Sequence, residues 1–335
     1  MRDVKLDSLR GIGLLCIILA HVDPPYVIEQ LRSFDVPLMV FISGSVTKRI
    51  ETNLITYYCK RVARLIIPVY LFITGLFILY WLGSQFGFIK LMNDFPKVVF
   101  NTYLLSPVEG VGYVWIIRVF LLMMLITPIV VKITNVVFER FWLYFLIIAL
   151  LGIFNINIIN SDICQKSNVF DEIFRNIIQY ILGYGLVLMT AIKLQKTTIV
   201  ERKRYVLMLL LLFVSSVIYY IVSNGFIIDI SKFYKYPPQW YFLIYGLLCS
   251  ALLCSYVSRL PRYLIENKIL VFIGQNSIWL YLWHIPFIKI SNFMFSEWYI
   301  RWGFILFFSL IVYLVQYKIA KKYLKNSNCL KYLIG

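Results

Sequence analysis

The chain is poor in charge and in the side chains that titrate near neutral pH. Of its 335 residues, 16 are acidic and only two are histidine, His21 and His284. Imidazole chemistry is therefore confined to two positions. Six cysteines, Cys16, Cys59, Cys164, Cys249, Cys254 and Cys329, are scattered in or beside apolar runs. No Cys-x-x-Cys or Cys/His pattern joins them, which excludes a zinc framework and a disulfide scaffold and leaves buried free thiols. No internal repeat is visible, and no polar stretch is long enough for a soluble domain.

What is abundant is apolar. Hydrophobic residues make up 61% of the chain and charged residues 15%, whereas soluble domains carry about 45–50% and about 25%. Runs such as "LIIPVYLFITGLFILYWLG" and "VLMLLLLFVSSVIYYIV" match the roughly 20 residues that cross a bilayer. The reading is all-α, a polytopic membrane protein of about ten transmembrane helices forming one domain over 1–335. Expected spans are 9–27, 34–48, 65–87, 112–133, 140–158, 173–192, 205–228, 239–258, 269–289 and 298–318. A cleaved secretory signal is not expected, because Ala20 is followed by His21, Val22 and Asp23 rather than a small-residue cleavage site.

The formal charge of +17 is topological. With the N-terminus cytoplasmic, the inner segments carry clusters such as Lys60, Arg61 and Arg64, then Lys193, Lys196, Arg202, Lys203 and Arg204, then Lys318, Lys321 and Lys322. Outer segments are sparser. This bias places both termini in the cytoplasm and removes nucleic acid as the reason for the positive charge.

Ionisable groups inside a bilayer are costly, so each is a functional candidate. Arg10 and His21 flank the first apolar run. Eleven residues at about 100° each return to nearly the same helical face, roughly 16 Å further along the axis. A neutral imidazole in apolar surroundings suits a general base. The alternative for His21 is a structural histidine bonded to a neighbouring helix. Asp35, at the outer start of the second span, is the candidate to orient its ring. In "RVAR", Arg61 and Arg64 share a face as the chain enters the third span and suit phosphate oxygens; lipid head groups are the competing ligand. Arg118 follows Trp115 in the fourth span and needs a partner, with Glu109 the nearest carboxylate. Ser277, Tyr281 and His284 form a polar stripe that helix-to-helix hydrogen bonding explains well.

Five segments occur in the order found in one family. They are "LDSLRGIGLLCIILAH" with its Arg-x10-His spacing, "PLMVFISGSV", "RVAR", "YVWIIRVFLLMMLITP" and "GQNSIWLYLWHIPF". In these the chain resembles the type-3 membrane acyltransferase family, the integral-membrane O-acyltransferases of bacterial envelope glycans. The second segment is less aromatic than the family's phenylalanine-rich stretch, and Arg118 lies outside the general pattern.

The resemblance implies an acetyl-CoA donor from the cytoplasm, a glycan or lipid-linked sugar as acceptor, no metal, and residence among lipids of the bacterial inner membrane. Arg61, Arg64 and Arg10 would hold the donor, and His21 would act as base or as acyl carrier. A transporter or flippase of lipid-linked sugars is the alternative. A glycan polymerase is disfavoured, since no large outer loop with catalytic arginines is present.

Overall fold

A computed structural model describes residues 3–47, 53–87, 93–106, 111–137, 141–159, 173–225, 230, 235, 237–324 and 330–334. Among the described residues the chain is all-helical, with no strand. Six helices are long and apolar enough to cross a membrane: Leu54–Gln85, Trp115–Asn135, Phe174–Gln195, Ile199–Ser223, Trp240–Arg259 and Trp298–Tyr323. The other four expected spans are helical but fall short of that standard. They correspond to α1 (Val4–Leu19), α2 (Tyr26–Arg32) with α3 (Asp35–Ser45), Phe141–Ile159, and the broken pair Lys268–Gln275 and Ser277–Met294.

The ends of these short helices have local causes. Helix α1 starts where the Asp3 carboxylate accepts from the amides of Lys5 and Leu6, a side-chain cap for donors with no partner within the helix. It stops at Leu19, with Ala20 as its cap; downstream, Pro24 and Pro25 have no amide donor with which to carry the helix on, and Asp23 takes a left-handed φ of 50°.

The chain forms two compact units, each assembled from two stretches. The first comprises Met1–Ile50 and Leu122–Gln275. In it α1 packs on Lys268–Gln275 and on α3, and α3 packs on Gln179–Gln195. Leu9, Leu38, Ile42, Val257 and Ile265 form one buried cluster. The contact between α1 and Lys268–Gln275 is backbone on backbone. A Cβ on Gly274 would lie 1.7 Å from the Asp7 carbonyl oxygen, and one on Gly11 would lie 2.4 Å from that of Leu270.

The second unit comprises Glu51–Leu121 and Asn276–Gly335. Ser277–Met294 packs on Trp298–Tyr323, and Phe72 meets Trp283 edge-on at 5.2 Å. The short helix Leu330–Ile334 ends on a row of polar side chains. Trp279 Nε1 donates to the Tyr332 carbonyl at 2.9 Å and Gln316 Nε2 to that of Leu333 at 2.7 Å, while the Tyr313 hydroxyl donates to that of Ile334 at 2.9 Å. Carbonyls at a helix end have no partner within the helix, and here side chains supply them. Large apolar side chains stand exposed on both units, Phe293 at 93% on the second and Val222 at 80% on the first, as surfaces facing lipid do.

Candidate functional site

In the first unit, Arg10 lies on the second turn of α1. Its Nη1 donates to Asp7 Oδ1 at 2.9 Å, and the Asp7 carboxylate is 1% exposed. Gln275 Nε2 donates to the second oxygen of the same carboxylate at 3.2 Å. His21 is half-buried and stands just beyond the last helical residue, its amide donating to the Ile18 carbonyl at 3.1 Å. The helical face expected to carry Arg10 to His21 thus runs only to Leu19, and the imidazole is placed by the closing turn. A histidine in such a turn is released from the side-chain direction that a continuing helix would impose.

Asp35 is fully buried at the start of α3. Its Oδ2 accepts from Arg32 Nη1 at 2.9 Å and faces Lys235 Nζ at 3.6 Å, while its Oδ1 accepts from the Val36 amide at 2.7 Å. Arg32 also pairs with Glu29 at 3.1 Å. These four charges form an ionic cluster next to α1, close enough for Asp35 and Arg32 to act electrostatically on Cys16. The carboxylate expected to orient the histidine is occupied by these two cations. Burial pushes the Lys235 pKa below the ordinary lysine value, and the Asp35 carboxylate works against that shift.

In the second unit, Arg61 and Arg64 are both exposed and lie within a helix rather than in a loop. Leu54–Gln85 starts at Asn53, whose side chain accepts from the Ile55 amide. At 32 residues the helix is about 48 Å long, well beyond a hydrocarbon core of about 30 Å. The "RVAR" segment occupies its N-terminal third. Arg61 lies over the Tyr57 ring at 5.1 Å, a cation–π contact that leaves the guanidinium edges available.

Trp115 is buried and Arg118 half-buried in the first turn of Trp115–Val137. Glu109, the expected partner of Arg118, lies outside the described residues, as do Cys164 and Cys329. The described cysteines Cys16, Cys59, Cys249 and Cys254 are free thiols. Ser277 opens its helix, and the Tyr281 hydroxyl donates to the Tyr113 carbonyl. His284 is fully buried; its Nδ1–H donates to the Tyr281 carbonyl, and its ring lies 4.9 Å from that of Tyr281. Its Nδ1 is thus held within its own helix. Among the described residues no cluster of three or more metal-ligating side chains occurs.

Sequence reasoning missed Asp7, Gln275, Arg32 and Lys235. Asp7 and Arg10 are spaced i, i+3, which signals a pair on one helix face. Neither Gln275 nor Lys235 carries any local signal.

Long apolar helices with apolar exteriors, and buried charges held by ionic partners, define an integral membrane protein with polar sites built among its helices. Its class follows from the sequence as a whole. The chain belongs to the type-3 acyltransferase family: the sequence model of that family, described as an acyltransferase domain, matches residues 3–317. No curated protein and no solved structure matches.

Proposed function

We propose that this membrane acyltransferase moves an acetyl group from acetyl-CoA to a sugar hydroxyl of a bacterial envelope or exported polysaccharide, with His21 as general base. Family membership over residues 3–317 carries the reading. The half-buried imidazole at the end of α1 supports it, as does the anchored Arg10 on the same helix.

In this reading both termini are cytoplasmic and Arg61 and Arg64 meet the donor's phosphates from that side, where exposed guanidiniums offer planar, multiply donating groups. His21 takes the proton of the acceptor hydroxyl as its oxygen attacks the thioester carbonyl. The C–S bond then breaks and coenzyme A leaves as the thiol or thiolate. Imidazole suits this task because its ordinary pKa lies near neutral pH.

The test is acetyl transfer by the full chain in proteoliposomes, read as thiol release, together with mass spectrometry of host surface glycans with and without the gene. Acetyl groups are expected to vanish from the glycan when the gene is removed. His21→Ala is expected to insert and fold normally and to lose transfer. Wild-type turnover by that variant would remove the histidine from the chemistry. Transport of a lipid-linked sugar without consumption of acetyl-CoA would replace the whole reading.

A further inference from the structure

The first three turns of α1 are fastened to the segment that precedes the late Gly-x-x-Ser motif. Lys5 Nζ donates to Ser258 Oγ at 3.0 Å, the Ser8 hydroxyl donates to the Ile265 carbonyl, and Gln275 Nε2 donates to Asp7 Oδ2. Gly11 and Gly274 let the two backbones touch, and a side chain at either position would collide with a carbonyl oxygen. Asp7 is the centre of this seam. Its carboxylate is 1% exposed, and its oxygens are held from two sides, by Arg10 on its own helix and by Gln275 on another.

An exposed i, i+3 ion pair fixes little, because both side chains remain free to move. This pair differs because its anion is buried and cannot leave. A buried carboxylate stripped of its cation is strongly unfavourable, so Arg10 is bound to a fixed point. One of its terminal nitrogens is assigned to Asp7, and the planar fork takes its direction from that bond. The Arg10 side chain keeps 22% exposure, which leaves part of it open to a ligand.

We propose that Asp7, locked by Gln275, is a positioning residue for Arg10. It aims the guanidinium along α1 and presents a half-neutralised cation, rather than a mobile one, to the anionic acyl donor. This rests on the proposed role of Arg10 at the donor and adds the device that orients it. It also gives Gly-Gln-Asn-Ser a physical task, since Gly274 permits the close approach and Gln275 makes the bond.

The experiment uses the full chain in lipid nanodiscs with acetyl-CoA as the probe. Two readouts are taken: steady-state transfer, and phenylglyoxal labelling of Arg10 mapped by mass spectrometry. Asp7→Asn keeps the shape and removes the charge. It is expected to raise the acetyl-CoA KM by about tenfold, the size of one charge-assisted hydrogen bond, and to raise Arg10 labelling severalfold. Gln275→Leu leaves the ion pair but frees it, and both quantities are expected to move the same way by about threefold, less than in Asp7→Asn because Gln275 reaches Arg10 only through the carboxylate that remains. The double variant Arg10→Ala/Asp7→Asn is expected to be no worse than Arg10→Ala alone, because the two residues act as one unit.

Unchanged labelling and unchanged KM in folded Asp7→Asn would overturn the proposal, and so would losses that multiply in the double variant. Should Asp7→Asn fail to fold, Gln275→Leu decides by the same criteria. Failure of the underlying reading looks different. Arg10→Ala would then transfer at the wild-type rate, while labelling would still report whether Asp7 restrains the guanidinium.

Discussion

Removing the Asp35 carboxylate tests the buried ionic cluster most directly. Asp35→Asn preserves volume and the bond to the Val36 amide but leaves Arg32 and Lys235 as two buried cations. Of the cluster's anions only Glu29 then remains, at 36% exposure. At an effective dielectric constant of about 20, a unit pair at the 2.9 Å of Arg32–Asp35 attracts by about 6 kcal/mol. Most of that attraction offsets desolvation. The loss on breaking such a pair is about 3–5 kcal/mol, because the stranded charge stays buried. For a unit of this size the melting temperature should fall by roughly 10 °C. Two controls frame the number. Glu29→Gln, at the cluster's exposed edge, is expected to cost less than about 1 kcal/mol. Joint replacement of Arg32, Asp35 and Lys235 by apolar residues of similar volume is expected to be near neutral, since the penalty comes from unpaired charge rather than from lost attraction. The assay is thermal unfolding of the detergent-solubilised protein followed by loss of the monodisperse size-exclusion peak. A melting point within about 1 °C of wild type would refute the argument. Loss of acetyl transfer at that unchanged melting point would return Asp35 to the task of orienting His21.

Lys235→Met tests the same cluster through pH. Burial depresses the Lys235 pKa below 10.5 and Arg32 adds to the shift, while Asp35 and Glu29 oppose it. The unfolded chain holds that proton to higher pH than the folded one, so stability rises between the depressed value and 10.5. The variant should lack this increment, and equal alkaline slopes in the two proteins would contradict it. Arg61→Ala and Arg64→Ala remove exposed groups and should change stability by under about 0.5 kcal/mol while weakening acetyl-CoA binding, read by equilibrium titration. Unaltered affinity in both would reassign "RVAR" to lipid head groups. His284→Gln retains a donor but loses the ring packed on Tyr281. It should cost about 1–3 kcal/mol and leave the turnover of the folded fraction largely intact; a stable but inactive variant would make His284 catalytic.

The membrane class and the order of helices were legible because burial in lipid forces whole segments to be apolar. Element ends were less so, for identifiable reasons. Hydropathy registers only the part of a helix inside the bilayer, so the polar N-terminal third of Leu54–Gln85 reads as a loop. The proline pair after His21 marks a break, but neither the end of α1 at Leu19 nor the φ of 50° at Asp23 has a signature beyond it. Likewise Asn276 at φ −113° splits a segment that reads as one helix. Of the candidate site, the residue types were visible and their partners were not. Arg10 was readable as an intramembrane cation. That its carboxylate partner is tied by Gln275, 268 residues away, depends on a backbone contact that single-residue patterns do not encode. Lys235 lies between two expected spans, and only the fold turns it into a buried charge.

The length of α1 has a consequence for His21. From Lys5 to His21 the chain advances about 24 Å along the axis, less than a hydrocarbon core of about 30 Å. In the proposed topology, with the Lys5 ammonium at the inner interface, the imidazole would lie within the thickness of the bilayer and not beyond it. The backbone there is no longer regular. Residues 20–25 form the turn that leads to α2, and Asp23 and Pro25 are exposed. Irregular backbone at membrane depth is tolerated only where protein buries it or water reaches it. An exposed aspartate cannot face lipid tails, so the surface it meets is aqueous. On the proposed topology the break in α1 would therefore do more than end a helix: it would bring a polar surface and an imidazole to the same depth. For the proposed general base this would give a hydrated sugar hydroxyl a polar route to within hydrogen-bond reach of the ring, which an unbroken apolar helix through His21 would not.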